Sequence, residues 1–326
     1  MSTTHCLVQN PLPNYPLLLL NTNMISAKII ADSINHAGDR MTTMEIEYPR
    51  FILAELNTHR MLSKNSASSR AIPVKAMHEH IKTYPATPVY WGKNQAGMQA
   101  KQELEGNDIA DAKFIWRRAM DDALHWAWAL ADRVGLHKQI ANRITEPWMT
   151  MKTVISGTEW RNFFWLRAHA DAQPEIHQLA LAMHEAYTNS TPQLLEAGEW
   201  HVPYVNTYRD THTGVLHYLD NSDQYITVDE ARIISASCCA QVSYRKNDDT
   251  LDKAKKIYSQ LIESEPAHAS PVEHQATPMD LPTYCNYEPE TWEPGVTHVA
   301  ANGSLWSGNL RGWIQHRKLI AGEAKW

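Results

Sequence analysis

Thr58-His59-Arg60-Met61-Leu62-Ser63-Lys64-Asn65-Ser66-Ala67-Ser68-Ser69-Arg70 is the stretch on which the reading of the whole chain turns. A His-Arg pair opens it, Ser63, Asn65 and Ser68 follow at short intervals, and Arg70 closes it. Fixed guanidinium cations beside many short donors are what a bound phosphate or dinucleotide requires. Asn and Ser side chains also bond back to the local backbone, which frees the N–H groups of a loop to face an anion. Residue types alone would serve a solvated Ser-rich turn equally well; the spacing separates the two.

On that spacing the stretch resembles the signature of the flavin-dependent thymidylate synthases (the ThyX family), R-H-R-x-x-S-x-N-E-x-S-x-R. His59, Arg60, Ser63, Asn65, Ser68 and Arg70 fall on the pattern, while Thr58 replaces its first Arg and Ser66 its Glu. Asn162-Phe163-Phe164-Trp165-Leu166-Arg167, followed by Ala172-Gln173-Pro174-Glu175-Ile176, resembles the family's N-F-x-x-L-R…A-Q-x-E-I. Ala141-Asn142-Arg143-Ile144 ahead of Pro147 is similar to A-R-x-x-x-P, with Arg143 on the nucleotide-binding Arg.

Two further blocks stand in an unexpected order. Ala240-Gln241-Val242-Ser243 resembles A-R-V-S, and His268-Ala269-Ser270-Pro271-Val272-Glu273-His274 resembles H-x-S/T-P-F-E-H. In the family both precede the signature; here they follow it by about two hundred residues. Arg311-Gly312-Trp313-Ile314-Gln315-His316-Arg317 then reads as a second R-Q-W-x-R-H-R helix, with Glu323 at the spacing of the signature Glu. One and a half copies in tandem account for this better than a circular permutation, which would not explain two His-Arg elements. The expected division is 1–209 for the first copy and 210–326 for a partial second.

The resemblance implies an α+β fold, an antiparallel sheet packed with long helices, here partly repeated. It implies FAD as cofactor, with methylene-tetrahydrofolate and NADPH as cosubstrates. His59, Arg60, Ser63, Asn65 and Asn162 would line the flavin, completed from the second copy by His268, Ser270, Glu273 and Glu323. Arg70, Arg143, Ser68, Arg167 and Glu55 would hold a pyrimidine deoxynucleoside monophosphate, with Arg167 and Ser68 catalytic. In the family the site forms between subunits of a tetramer, so this chain would reach the same arrangement as a homo-oligomer, a dimer mimicking that tetramer. The departures at Thr58, Ser66 and Asp171 (where the family usually has His) leave three readings. These are conversion of dUMP to dTMP, hydroxymethylation of dUMP or dCMP at C5, and a non-catalytic nucleotide- or flavin-binding paralogue.

The chemistry can also be argued from residues. Adding a carbon at C5 of a pyrimidine needs electron density there. A Cys thiolate on C6 is one way to supply it, but none of the four cysteines has an Arg- or His-rich activating context. The other way polarises the ring carbonyls with cations while a cofactor carries the carbon and the hydride. Arg167 suits that task, since a guanidinium keeps its charge and offers two donors to a planar acceptor.

Composition bounds the rest. The 326 residues allow about two domains at ~150 each. A net charge of -6 argues against a surface that coats a nucleic-acid polymer and leaves room for local basic pockets. Four cysteines, two of them adjacent (Cys238, Cys239), make no disulfide framework and fit a reducing, cytoplasmic setting. The longest aliphatic run, Leu17 to Leu20, is too short to span a membrane, and no basic segment precedes it. His78-Glu79-His80 and the His169/His177 pair match no metal-ligand spacing, so no metal is expected. No Walker motif or G-x-G-x-x-G is present.

Hydrophobic spacing places the motifs. Lys28–Asn35 and Met41–Tyr48 read as strands, the second alternating Met44, Ile46 and Tyr48 with Glu45 and Glu47. Pro49 suits the first turn of a helix that carries Phe51, Ile52, Leu56 and His59, after which the signature would begin as a loop. Asn107 or Asp108 would cap a helix running to about Arg133, burying Ile115, Met120, Leu124 and Leu130 and stopped by Gly135. Thr158–Ala168 and Pro174–Ala197 read as helices, the latter with Ile176, Leu179, Ala180, Met183 and Tyr187 on one face. Asp210–Asp223 reads as the junction between copies, Asp229–Ala236 and Leu251–Ile262 as helices, and the proline-rich remainder as an extended connection.

Overall fold

The computed structural model describes residues 24–243, 249–280 and 289–323. The Leu17–Leu20 run, Pro282, Cys6 and Cys285 lie outside the described residues. The fold is α+β. Its centre is a five-stranded sheet of β1 (Ser26–Ile34), β2 (Arg40–Pro49), β3 (Ser63–Ser66), β4 (Thr150–Gly157) and β5 (Gln193–Leu194), in the order β3-β4-β2-β1-β5. Every pairing is antiparallel except β1 with β5.

The alternation expected for β2 is present, and it divides the sheet into two covered faces. Met44, Ile46 and Tyr48 point into a core with Ile52, Leu56, Phe163, Ile176 and Met183. Those residues come from a 3-10 turn (Arg50–Ile52) and the helices α1 (Leu53–Asn57), α5 (Arg161–Arg167) and α6 (Pro174–Asn189) that follow. On the other face Met41 packs with Leu195, Trp200, Ala276 and Trp313, and Val154 of β4 with Cys239 and Val242. With both faces buried, β4 carries no polar–apolar alternation, and so is silent to a periodicity argument.

The remaining helices are α2 (Val74–Thr83), α3 (Gly106–Asp132), α4 (Lys138–Ala141), α7 (Val228–Ala240) and α8 (Leu251–Leu261). α3 buries Met120 and Leu124, but Leu130 is only half-buried and Ile115 is 64% exposed, so its apolar stripe is shorter than expected. Its N-cap is Glu105, with Asp108 in the first turn. α6 stops at Asn189 and not near Ala197, because Pro192 excludes helix just before the chain enters β5. α7 begins with a capping box between Thr227 and Glu230 and runs past Ala236 to Ala240.

Three expectations are corrected. The signature stretch is not all loop: Ser63–Ser66 form β3, completing the edge of β4 with Ser63 opposite Ser156 and Asn65 opposite Val154. Asp210–Asp223 is no linker. It joins β6 (Asn206–Arg209), β7 (Leu216–Leu219) and β8 (Tyr225–Ile226), with the Asp210 carboxylate capping the hairpin turn at His212 and Thr213. The second His-Arg element is not a helix. Its residues fall in β12 (Leu310–Arg311), β13 (Trp313–Gln315) and a 3-10 turn, since burial of both Trp313 and Ile314 is met by pairing β13 with β9 (Ala276–Pro278).

Among the described residues the five-stranded sheet occurs once, and tandem repetition is not seen. The C-terminal part, including the β10 (His298–Val299), β11 (Leu305–Ser307) and β12 hairpins, folds onto that sheet instead. Asn35 Nδ2 donates to Gly312 O at 3.0 Å, and Trp313 Nε1 to Asp39 O at 3.1 Å. Gly312 has φ +71°, and a Cβ there would sit 2.3 Å from Asp39 Oδ2, so only glycine permits this approach.

A buried polar chain crosses the same interface. His201 Nδ1 bonds Ser33 Oγ and its Nε2 bonds Thr43 Oγ1, both at 2.8 Å. Thr43 Oγ1 meets Ser156 Oγ at 2.6 Å, and Ser156 Oγ meets His274 Nδ1 at 2.8 Å. Burial holds His201 and His274 far below the ordinary histidine range, at about 4 and about 3. Both rings are therefore neutral, as a dry hydrogen-bonded chain demands.

Candidate active site

The end of α1 and the start of β3 form a tight turn. Thr58 Oγ1 donates to Glu55 O at 2.7 Å, closing the helix, and Leu62 N donates to His59 O. The Lys64 ammonium donates to the carbonyls of Leu62, at 2.9 Å, and of His59, tying the turn from below. Burial lowers Lys64 to about 8, opposed by the nearby Glu273 carboxylate.

α5 brings Arg167 to this turn. Its Nε donates to His59 Nε2 at 2.8 Å and its Nη2 to Thr58 Oγ1 at 3.2 Å. Burial first, then the charges of Arg167 and Lys64, lower His59 to about 4, so the ring is a neutral acceptor. Phe163 packs edge-on against it at 4.9 Å. Between turn and helix lies a cleft of about 580 Å³ lined by Thr58, His59, Arg60, Asn162, Arg167 and, from β11, Trp306. Of the five N–H groups of a guanidinium, Arg167 spends two on the protein and keeps three for a ligand.

Four expected site residues thus converge: His59, Arg60, Asn162 and Arg167. Ser68, Arg70 and Arg143 gather elsewhere, at the far end of β3. Ser68 Oγ accepts from Arg70 N and Nε at 3.3 and 3.4 Å, and Ser68 N donates to Ser243 Oγ at 2.9 Å. Arg143 pairs with Glu146 at 2.8 Å, and Glu146 also meets Ser69 and Arg50. Glu146 therefore holds Arg143 beside the Ser68–Arg70 turn, with both guanidiniums reaching solvent. None of these three lines the Arg167 cleft.

Other expected residues do not line it either. Ser63 bonds Asn309, whose amide also donates to Met61 O, and Asn65 donates to Cys239 O; both fasten β3 to the C-terminal part. Glu55 keeps one buried carboxylate oxygen without a partner. His268 and Ser270 are exposed. Glu273 and Glu323 are both neutralised by Arg317, and Glu323 by Lys318 as well. None of these last four lines the Arg167 cleft of the same chain, and the charges of Glu273 and Glu323 are already paired.

Sequence reasoning overlooks Trp306, which sits in a hairpin without any motif. Its ring stacks on His298 at 5.8 Å, and its Nε1 donates to Ser304 Oγ. Among the described residues no three His, Cys, Asp or Glu side chains converge as metal ligands, and no helix is long and apolar enough to cross a membrane.

Sheet, helices and cleft define an α+β domain with a cation-lined cleft. Residues 39–193, which carry β2–β4, α1–α6 and all of the cleft lining but Trp306, match the family model of the thymidylate synthase complementing protein. Comparison with curated proteins finds no match. Among solved structures, a UMP/dUMP methylase, PolB from Streptomyces cacaoi bound with 5-Br UMP, is similar at 17% identity and a TM-score of 0.44, over 50% of this chain and 88% of its own. The flavin-dependent thymidylate synthase ThyX from Helicobacter pylori, complexed with FAD and dUMP, is similar at 18% identity and a TM-score of 0.33, over 45% and 67%.

Proposed function

We propose that this protein is a flavin-dependent enzyme that transfers a one-carbon unit from methylene-tetrahydrofolate to C5 of a pyrimidine deoxynucleoside monophosphate, converting dUMP to dTMP with NADPH as reductant. The observation that carries the reading is the Arg167 guanidinium, oriented by His59 and Thr58 and left with three free donors in a cleft of small-molecule size.

The cleft residues fit a flavin ring. Trp306 supplies aromatic surface, while Arg60 and Asn162 supply donors for a carbonyl-rich ring edge. The flavin, when bound, supplies the carbon-carrying and hydride chemistry. The protein's part is electrostatic. Arg167 polarises the pyrimidine carbonyls, and neutral His59 fixes the guanidinium plane without adding a competing charge. Arg70, Arg143 and Ser68 bind the nucleotide phosphate. Because they do not line the cleft that holds Arg167, we infer that a nucleotide touching both sets lies between two copies of the chain in a cytoplasmic homo-oligomer.

Purified protein tests this directly. Flavin absorbance in its visible spectrum, and dTMP identified by mass from dUMP and methylene-tetrahydrofolate, are expected. A hydroxymethylated dUMP or dCMP product would replace the methyl-transfer reading. Colourless protein that also fails to take up added FAD would leave only a nucleotide-binding role.

A further inference from the structure

A second cavity of about 490 Å³ lies outside the cleft, between the first half of α3, the 85–91 segment and α6. Trp91, Trp116 and Met120 form its apolar wall, and Lys113, Arg117 and Gln178 its polar rim. The wall is held in place from several sides. Trp116 Nε1 donates to Ala86 O at 3.2 Å, and its ring packs against Trp148. Glu103, which also faces the cavity, accepts from the Trp91 backbone N–H at 3.2 Å, and Leu104 N donates to Trp91 O at 2.8 Å. Val89 N donates to the buried Glu175 carboxylate at 2.7 Å, anchoring the segment to α6. The two tryptophans meet edge to face at 6.2 Å and 88°.

The rim gathers two cations on the exposed side of α3. Lys113 and Arg117 stand one helical turn apart, a like-charge spacing that disfavours the helix. Among the described residues neither has an ion-pair or hydrogen-bond partner. Glu103, the one carboxylate on the cavity, accepts from the Trp91 N–H and forms no ion pair with either cation. Two unpaired cations over a rigid pair of indoles provide anion binding and ring packing together.

We propose that this cavity is a second binding site, for a molecule that joins a planar heteroaromatic ring to an anionic group, the ring against Trp91 and Trp116 and the anion on Lys113 and Arg117. Both a carboxylate-bearing pterin and a nucleoside monophosphate have this chemistry. The cleft at Arg167 is a separate site, so the inference stands whether or not the proposed reaction does.

Titration calorimetry on the full-length protein tests it, with folinic acid in one arm and UMP in the other. Wild type is compared with Lys113→Glu/Arg117→Glu, Trp91→Ala and Arg167→Ala, each checked for folding by its thermal transition. At least one probe should bind, weakened ten-fold or more by the double charge reversal and by Trp91→Ala but retained by Arg167→Ala; the probe that does so names the anion as carboxylate or phosphate. Because Lys113 and Arg117 are solvent-exposed, their reversal leaves the core intact. Absence of binding for both probes at millimolar concentration overturns the proposal, and so does binding lost in Arg167→Ala but kept in the charge-reversal variant. Product formation from dUMP, measured separately, reports on the cleft alone.

Discussion

Arg167 and His59 are joined by one hydrogen bond, Nε to Nε2 at 2.8 Å, in which the imidazole can only accept. With His59 held at about 4, the bond keeps this polarity throughout the physiological pH range. Arg167→Lys keeps the charge but loses the planar fork and the bond to His59. Turnover should fall by ~100-fold or more, the scale for one oriented electrostatic donor, while bound flavin absorbance is retained. Steady-state assay beside the visible spectrum checks both.

Cys238 and Cys239 are buried, and burial pushes the Cys239 thiol well above its ordinary range, away from the thiolate form. Single Cys→Ser variants at each position should keep most activity. Loss of turnover in a folded variant would bring back the C6-thiolate route.

Arg70→Ala and Arg143→Ala should each weaken nucleoside monophosphate binding by ~1.5–3 kcal/mol, as for a lost charged hydrogen bond. Calorimetric titration with dUMP reads the change. Curves matching wild type for both variants would remove these residues from the phosphate site.

Trp306→Ala removes an aromatic wall of the cleft while leaving the sheet untouched. Flavin affinity should drop by about 0.5–1.5 kcal/mol, the worth of one aromatic pair beyond its buried area. Fluorescence titration of flavin-depleted protein measures it, and an unchanged dissociation constant would place the ring outside the flavin contacts.

His201 and His274 set a pH limit on stability. Their folded values lie below the ordinary 6.5, so the unfolded chain binds more protons between about 3 and 6.5. Stability is therefore intact above pH 6.5 and lost as pH falls through that window. A single ring of this kind costs about 2 kcal/mol by pH 5. Melting temperatures from pH 8 to 5 should fall steeply for the wild type and less steeply for His274→Gln. Parallel curves would mean that His274 does not carry the effect.

Legibility in the sequence follows how many faces of an element are buried. Met44, Ile46 and Tyr48 could be read because Glu45 and Glu47 interrupt them, whereas Met151, Thr153, Val154 and Ile155 of β4 are all buried and show no such break. His59, Arg60, Asn162 and Arg167 meet in the cleft because short helices fix the spacing of each block locally. Glu273 and Glu323 carry the right types at the right spacing, but their pairing with Arg317 depends on tertiary contact that spacing does not encode. Trp306 reaches the cleft through a chain reversal more than two hundred residues away from His59, which no local signal announces.

The bond from Asn35 to Gly312 spans 277 positions along the chain. During synthesis at roughly 5–20 residues per second, the turn between β1 and β2 waits ~14–55 s for that partner to be made. Through that interval the face of β2 carrying Met41 and Thr43 lacks the covering supplied by Ala276 and Trp313. The strands of the sheet are thus all made long before the residues that cover this face of β2, so the covering is a late, long-range step in reaching the fold.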